Sequence, residues 1–257
     1  MRCASIGSGS KGNALLVENK DTTILLDCGF SLKHLKASLI ELGKAVEDID
    51  AIFVTHEHSD HVAGIKTLSN NSSAAIYMSY GTAVASKLLS LPRLNFIVDG
   101  RLIRIGNLEL RPVTVPHDAR EPFQFVIQSC ANETKGRSLG VLTDLGSIPP
   151  HVAGEYKECD ALILEANYDL DMLRGGPYPP SVKKRVGSDW GHLSNQQAAD
   201  FLRVIDQDKL QWLVAAHVSA KNNSVNKVVE EFQANLSDKE KLHVATQKQG
   251  FSWMQVV

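Results

Sequence analysis

Cysteine is scarce in this sequence, and long apolar runs are absent from it. Four cysteines are spread over 257 residues, without a CxxC pair. This spacing excludes a dense disulfide framework and favours buried, reduced thiols. No apolar stretch reaches the length of a transmembrane helix, and the N-terminus lacks the apolar run of a secretory signal peptide. We therefore expect a cytoplasmic protein that has no membrane partner.

An excess of charge of either sign is also missing. The 27 basic and 29 acidic residues give a formal net charge of −2. Because the chain as a whole is not basic, any site for a polyanion such as nucleic acid must be local. With 43% hydrophobic and 22% charged residues, the chain has the composition of a globular protein and can bury one large core. Repeats, linkers and low-complexity tracts are lacking, so we predict a single domain over residues 1–257.

Against this background, the segment 56–61, with the sequence HEHSDH, is densely polar. It follows an apolar run that predicts a short buried strand. His56 and His58 are two residues apart, so on an extended backbone their imidazoles can point to one place. Asp60 and His61 then begin a helical turn, where a carboxylate is favourable beside unpaired N–H groups. They can reach a second place nearby, and the segment therefore predicts a metal site.

Three later polar residues also stand where apolar strands are predicted to end. His117, Asp144 and His217 each lie within two residues of an apolar run. Polar groups at strand ends are a common way for α/β scaffolds to assemble a site from distant parts of the sequence. Imidazole together with carboxylate suits Zn²⁺, Mn²⁺ or Fe. Asp27 ends another apolar run, and it either orients the histidine segment from behind or caps a turn.

Residues 7–12 fit the pattern G-x-G-x-x-G of dinucleotide-binding loops, and Asp27 has about the spacing of a ribose-binding acid. That interpretation requires a helix directly after the last glycine. Residues 14–18 and 22–26 are instead short apolar or β-branched runs that predict a β-hairpin. We therefore reject a nucleotide cofactor and expect the glycines to let a tight loop approach the metal site.

Periodicity predicts the remaining elements. Strands are expected at 51–54, 75–78, 96–98, 102–105, 108–115, 123–129, 139–142, 160–164, 212–216 and 251–256. Helices are expected at 31–43, 82–91, 193–205 and 224–236. Between residues 173 and 190, a proline-rich stretch predicts a long irregular segment. Because strands precede helices in both halves, we predict an α/β fold with two sheets face to face and helices outside.

Two further polar residues, His192 and Glu165, indicate which reaction the site could catalyse. Ser194 and Gln197 form a capping-box pattern, so His192 stands just before a helix N-terminus, where phosphate groups are readily bound. Glu165 follows an apolar run and could fix the tautomer of His192. A protonated, oriented histidine beside a phosphate can act as a general acid on the leaving oxygen. His192 could instead be a polar residue before a helix without a catalytic role.

The ordered set of residues resembles the metallo-β-lactamase superfamily, in which H-x-H-x-D-H is followed by a histidine, an aspartate and a histidine. The resemblance implies a four-layer αβ/βα sandwich of two mixed sheets flanked by helices, with two bound metal ions. The metal ligands that it implies are His56, His58 and His117 for the first metal, Asp60, His61 and His217 for the second, and Asp144 between the two.

Further segments are similar to the YycJ/WalJ family of nuclease-like hydrolases. They are EA at 165–166, GPYP at 176–179, KKR at 183–185, GHLS at 191–194 and HVSAKNN at 217–223. The similarity implies a cytoplasmic phosphodiesterase that acts on nucleic acid, on DNA rather than RNA. One departure is Ala220-Lys221, which stands where the family pattern has an acidic residue after Ser219.

The candidate contacts to a nucleic-acid substrate lie near the basic run. They are Tyr178, Lys183, Lys184, Arg185 and Asn222, with Trp190 as an alternative to Tyr178 for stacking on a base. The run 183–185 could equally be a solvated, charged surface.

These observations predict a phosphodiesterase with two divalent metal ions, Zn²⁺ or Mn²⁺ with Fe as an alternative, in the form of a DNA exonuclease. A metal-bound hydroxide is expected to attack phosphorus, and His192, Glu165 and Asp60 form the predicted catalytic set. The alternatives on the same fold are an RNA-processing nuclease, a cyclic phosphodiesterase and a thioesterase. The alternative of another class is a nucleic-acid-binding regulator that keeps the metals for structure.

Overall fold

The computed structural model describes residues 1–130, 136–247 and 250–257. Across these residues, two seven-stranded sheets form the centre of the molecule. In spatial order, the first sheet contains β14 (Phe251–Gln255), β1 (Arg2–Gly7), β2 (Ala14–Asn19), β3 (Thr22–Leu26), β4 (Ala51–Phe53), β5 (Ala75–Met78) and β6 (Leu94–Phe96). The second contains β13 (Leu242–Val244), β12 (Trp212–Ala216), β11 (Ala161–Glu165), β10 (Ser138–Leu142), β9 (Phe123–Ser129), β8 (Leu108–Thr114) and β7 (Ile103–Ile105).

The α-helices of the described residues follow or connect these strands. They are α1 (Leu32–Glu41), α2 (Ser59–Val62), α3 (Ile65–Ser69), α4 (Tyr80–Ala85), α5 (Pro150–Tyr156), α6 (Leu170–Gly175), α7 (Pro180–Val186), α8 (Asn195–Leu202) and α9 (Val225–Gln233). None of them, in the ranges that the structure describes, combines the length and the apolar character that crossing a bilayer requires.

Both sheets are mixed. Strands β14, β1, β2 and β3 pair antiparallel, and β3 to β6 pair parallel. In the second sheet, β7 to β10 pair antiparallel and β10 to β13 pair parallel. In each sheet, the carboxyl ends of neighbouring parallel strands lie at one edge. The residues that follow β4 of the first sheet come close to those that follow β10, β11 and β12 of the second.

Successive side chains of a strand point to opposite faces of the sheet, and in the buried strands the residues on both faces are apolar. In β4, Phe53 packs between the sheets and Ile52 packs toward the helices, and in β12 the same holds for Val214 and Leu213. Phe53 meets Phe125 of the opposite sheet edge to face, with ring centroids 5.5 Å apart. Separate apolar clusters join α1, α3 and α4 to the first sheet and α5, α8 and α9 to the second. The predicted four-layer arrangement is confirmed, whereas the assignment of residues 1–257 to a single domain stays a prediction.

Several predicted elements have different limits. The helix expected at 82–91 is α4, which ends at Ala85 because Lys87 adopts a left-handed backbone with φ 60°. The segment expected to be irregular carries α6 and α7. Asp169 caps α6 by accepting the Met172 N–H at 2.9 Å, and Pro180 starts α7 with a φ suited to a first helical turn.

The sequence did not predict β1, β13, α3 or α5, and it placed β6 two residues too late. β13 and β6 have only three residues each, too few to display a period. β1 is buried along five of its six positions and therefore shows no alternation of polar and apolar residues.

The expectation of buried thiols is confirmed for three of the four cysteines. All four cysteines are free; Cys3, Cys28 and Cys159 are buried, and Cys130 is half-buried. Burial raises the pKa of Cys28 to about 11 and that of Cys159 to about 12. The buried thiols are therefore protonated at neutral pH and shielded from reagents.

We expect a disulfide reagent such as dithionitrobenzoate to label Cys130 first in the native protein, because the thiolate is the reactive form and this thiol is the most accessible. A time course of thionitrobenzoate release should show one fast thiol, and all four should react in denaturant. Cys130→Ser is the control. A fast phase that persists in this variant would contradict the assignment.

Candidate metal centre

The residues predicted as metal ligands lie together at the edge where the strands end. They come from the loop after β4, the start of α2, and the loops after β8, β10 and β12. Five of the seven are buried, and the other two are half-buried at the mouth of the site. Their ligand atoms form groups in which every atom lies within 4.8 Å of the others. The fold thus brings together all of His56, His58, Asp60, His61, His117, Asp144 and His217.

The first group consists of His56, His58 and His117. His58 Nδ1 lies 3.0 Å from His56 Nε2 and 3.3 Å from His117 Nε2. Three nitrogen ligands at about 2.0–2.1 Å from one tetrahedral Zn²⁺ would stand about 3.3 Å apart. The spacing of the three nitrogens therefore fits one metal ion.

The second group consists of Asp60, His61 and His217, with Asp144 beside it. Asp60 Oδ2 lies 3.5 Å from His61 Nε2 and 3.7 Å from His217 Nε2. Asp144 directs Oδ2 to His61 Nε2 at 3.5 Å and Oδ1 to His217 Nε2 at 3.4 Å. Asp144 also forms a group of possible ligands with His56 and His61. Its carboxylate therefore borders both groups, as a bridging ligand would.

Asp27 and Thr55 hold two of these histidines from behind. The Thr55 N–H and hydroxyl donate to the two oxygens of Asp27 at 2.8 and 2.9 Å. His61 Nδ1 donates to Asp27 Oδ2 at 2.8 Å, and His56 Nδ1 lies 2.9 Å from Thr55 Oγ1. Such contacts decide which ring nitrogen faces a metal. They favour an orienting role for Asp27 over simple turn capping.

The other two buried histidines also have partners for the ring nitrogen that points away from the cluster. His117 Nδ1 donates to the Gly191 carbonyl at 2.9 Å. His217 Nδ1 lies 3.2 Å from Glu165 Oε1 and 3.0 Å from Asn167 Nδ2. In both cases Nε2 is left to face the centre.

Two buried atoms of the cluster have no hydrogen-bond partner among the described residues, Asp144 Oδ2 and His217 Nε2. Buried polar atoms are nearly always satisfied, so this pair calls for a bound group. A carboxylate oxygen and an imidazole nitrogen are together suited to a divalent transition-metal ion. The residues present therefore fit a divalent metal.

The electrostatics of the cluster lead to the same result. Burial alone would raise the pKa of Asp144, but His217 and His61 hold it well below its usual range. Burial alone would lower the pKa of His217, but the surrounding carboxylates, Asp144 foremost, raise it to about 10. Burial lowers the pKa of His117 to about 4. The carboxylates thus draw positive charge, as a proton or a cation, to one side of the site.

Three of the six non-glycine residues that have positive φ in the described ranges lie at or directly behind the centre. Asp27, Asp144 and His217 have φ values of 60°, 55° and 54°, in the left-handed region that favours glycine. Each such residue costs on the order of 1–3 kcal/mol and persists only where the surroundings hold it. Asp144 and His217 thereby direct their side chains into the centre, and Asp27 directs its carboxylate to Thr55 and His61 behind it.

His192 and Glu165 form a further unit beside Asp144. His192 Nδ1 donates to Glu165 Oε1 at 2.8 Å and lies 3.9 Å from Asp144 Oδ1. Burial alone would raise the pKa of Glu165, but His192 and His217 lower it to about 2. The ionised carboxylate keeps a proton on Nδ1 of His192, so that Nε2 is available to another molecule.

A cavity of about 350 Å³ opens onto the cluster. Its lining includes His58, Asp60, Asp144, His192 and His217 of the cluster, and Tyr178, Val182, Arg185 and Val186 of the segment 176–186. Two of the predicted substrate contacts, Tyr178 and Arg185, therefore line the same cavity as the candidate metal ligands.

The other predicted substrate contacts lie elsewhere. Lys183 Nζ donates to the Arg174 carbonyl at 2.7 Å, and Lys184 is exposed outside the cavity lining. Asn222 is only 1% exposed, and a Cβ at Gly176 would come within 2.6 Å of its Oδ1. Asn222 therefore packs behind the cavity wall and does not reach the cavity, contrary to the expectation.

Trp190 is 61% exposed and is not part of the cavity lining. Lys221, at the departure from the family pattern, lies with its Nζ 5.5 Å from the centroid of the Tyr178 ring. The basic residue thus supports the aromatic wall of the cavity.

The sequence did not single out several polar residues that contact the ligands. Asn13 Nδ2 lies 3.0 Å from His61 Nε2, and Ser8 Oγ accepts the His217 N–H at 2.9 Å. Both belong to or adjoin the glycine-rich loop, which therefore approaches the centre as expected. In the sequence, only their position next to glycines distinguishes Ser8 and Asn13, because amide and hydroxyl side chains are common in loops.

Comparison with known proteins agrees with this geometry. The profile of the Beta-lactamase superfamily domain matches residues 22–213. Exodeoxyribonuclease YycJ of Bacillus anthracis is 33% identical over 237 residues, or 88% of each chain. Exodeoxyribonuclease WalJ of Streptococcus pneumoniae is 31% identical over 226 residues, which cover 85% of this chain and 81% of the relative.

A solved structure is similar along the whole chain. The metallo-β-lactamase fold protein YhfI from Bacillus subtilis matches with a TM-score of 0.76 over 98% of both chains, at 16% identity. That likeness concerns the fold, and the family follows from the sequence matches. The chain therefore belongs to the metallo-β-lactamase superfamily, within the YycJ/WalJ family of metal-dependent hydrolases.

Proposed function

We propose that this hydrolase cleaves phosphodiester bonds in nucleic acid, as a DNA exonuclease, with two divalent ions at the two histidine groups. Zn²⁺ or Mn²⁺ is proposed for both, with Fe as an alternative. The observation that carries the proposal is the contact of His192 with Glu165, next to Asp144 and open to the same cavity. Two relatives named exodeoxyribonucleases, at 33% and 31% identity, support the choice of DNA.

The open cavity argues against a purely structural role for the metals. A structural metal site usually closes every coordination position with protein side chains. Here His58 and Asp60 are half-buried and line the cavity. A substrate atom can therefore reach the ligands, and this favours a catalyst over a regulator that only binds nucleic acid.

Bound divalent cations would supply Lewis acidity and lower the pKa of a water molecule toward neutrality. Asp27 and Thr55 keep His61 and His56 oriented for ligation. Asp60 and Asp144 supply the negative charge that would hold the cations beside the reacting phosphate. Glu165 holds the Nδ1 proton of His192, whose Nε2 donates a proton to the departing sugar oxygen.

The function is tested by incubating metal-loaded protein with DNA and RNA labelled at either end, alongside metal analysis of the same preparation. Progressive shortening of DNA from one end, faster than that of RNA, is the expected result. Faster loss of RNA would identify the RNA-processing alternative. Cleavage of a small phosphodiester or thioester alone would identify a small-molecule hydrolase, and binding without turnover a regulator.

We expect His58→Ala to abolish hydrolysis of bis-p-nitrophenyl phosphate because the first histidine group loses a ligand, and its metal content should fall.

His192→Ala should keep the metal content of the wild type but lose at least about 100-fold in turnover of nucleic acid. Metal analysis and initial rates of both variants provide the check. A His192→Ala protein with full turnover on nucleic acid would show that the general-acid role is wrong.

Metal binding is expected to release protons. In the metal-free protein the pKa of His61 is raised well above its ordinary value, despite burial, by Asp144 and Asp27, and that of His217 is raised to about 10. Both rings are therefore protonated at neutral pH, and each must lose a proton to bind a metal. Affinity should fall as the pH is lowered.

The release can be measured by titrating the same metal calorimetrically in two buffers with different ionisation enthalpies. The apparent enthalpies should differ by the number of protons released times the difference in buffer enthalpy. Equal enthalpies in both buffers at neutral pH would contradict the expectation. His34→Ala, at an exposed position outside the centre, is the control and should leave the release unchanged.

A further inference from the structure

The three cations of the run 183–185 point in different directions. Lys183 Nζ donates back to the Arg174 carbonyl, and Lys184 is exposed away from the cavity. Arg185 alone among the three lines the cavity, and its Nε lies 3.3 Å from Asp118 Oδ2. The run therefore does not act as one uniform basic surface.

Asp118 links Arg185 to the first histidine group. Its other carboxylate oxygen, Oδ1, lies 3.5 Å from His117 Nε2 and 3.8 Å from His58 Nε2. A single carboxylate thus spans the distance between the imidazoles and the guanidinium. The guanidinium is thereby held on the side of the cavity that carries the first histidine group.

The backbone of Arg185 is fixed to the segment that carries His192. The His192 N–H donates to the Val186 carbonyl at 2.9 Å. A Cβ at Gly191 would lie 2.2 Å from the Arg185 carbonyl oxygen and 2.3 Å from that of Val186, so the close approach requires glycine. Val186 and Val182 also pack α7 onto a small apolar cluster with Leu173. The backbones of Arg185 and His192 therefore belong to one hydrogen-bonded turn.

We propose that Arg185 is the residue of this run that binds the substrate phosphate, and that Asp118 is a positioning residue that holds its guanidinium toward the first histidine group. The inference rests on the proposed hydrolysis of phosphodiesters. Asp118 engages the Nε side, which leaves the terminal Nη groups of the planar fork for phosphate oxygens. An exposed pair of this kind contributes little to stability, since Arg185 is 61% and Asp118 26% exposed. The geometry of the contact between Arg185 and Asp118 is better explained by a role in binding the substrate phosphate.

The test is steady-state hydrolysis of end-labelled DNA and of bis-p-nitrophenyl phosphate over a range of salt concentrations. Arg185→Ala should raise KM for DNA by about tenfold or more with a smaller change in kcat, because a charge-assisted contact to phosphate is lost. The slope of log affinity against log salt should fall by about one. Arg185→Lys should recover part of the loss, since it restores charge without the fork.

Arg174→Ala is the matched control. It removes the same charge from an exposed arginine on the neighbouring helix α6, outside the cavity lining. Its KM should stay close to that of the wild type. If Arg185→Ala and Arg174→Ala have equal effects, or if Lys184→Ala matches Arg185→Ala, the cation acts only as part of a diffuse charge and the proposal is overturned.

Asp118→Asn tests the positioning role at constant size. We expect a rise in KM approaching that of Arg185→Ala, unchanged metal content, and no further rise in the double variant, because the two residues act as one unit. A loss of metal content and of kcat with KM unchanged would mean that Asp118 serves only to orient His58, and would overturn this part.

The failure of the proposed function can be told apart from the failure of this inference. If the wild type cleaves bis-p-nitrophenyl phosphate but no nucleic acid, the nucleic-acid substrate is wrong, and the effect of Arg185→Ala on KM for the small diester decides the inference. If the wild type cleaves DNA and Arg185→Ala behaves like the control, only the inference fails. If it cleaves neither, both are overturned.

Discussion

Two buried carboxylates, Asp144 and Glu165, impose the constraint on which the rest of the centre depends. They are 2% and 0% exposed and stand at the ends of the adjacent strands β10 and β11. An ionised carboxylate in a protein interior is very costly unless it is paired. Glu165 is satisfied by His192 and by backbone N–H groups. Within the described part of the chain, Asp144 contacts the surrounding imidazoles, and its Oδ2 has no hydrogen-bond partner, which suits it to bind a cation.

The sandwich supplies what these carboxylates need at one edge. Both sheets are parallel in the part that borders the centre, so loops after β3, β4, β10, β11 and β12 converge. Left-handed turns at Asp27, Asp144 and His217 aim side chains inward at an energetic cost. The apolar packing between the sheets, such as the Phe53–Phe125 contact, and the attraction between opposite charges compensate for that cost.

The part of the cavity wall that carries Tyr178 and Arg185 is built differently. Helices α6 and α7 enclose a small apolar cluster of their own and bring Tyr178 and Arg185 to the cavity. The sequence predicted an irregular segment here, because prolines such as those at residues 177–180 are common both in loops and at the start of helices. The three residues of the run 183–185 were also predicted together as substrate contacts. On a helix, consecutive residues point about 100° apart, so that three adjacent cations cannot face one cavity.

The sequence by itself predicted the seven residues that cluster at the centre, the strands that carry them and the superfamily, because ligand spacing and apolar runs are local properties of the chain. The tertiary structure alone decided that Asn222 lies behind the cavity wall, that Thr55 and Asn13 support the histidines, and that Asp118 meets Arg185. These facts depend on contacts between residues far apart in the chain. Neutral amides and single charges have no spacing rule that reveals such contacts, whereas the packing of the sheets and of α7 fixes them.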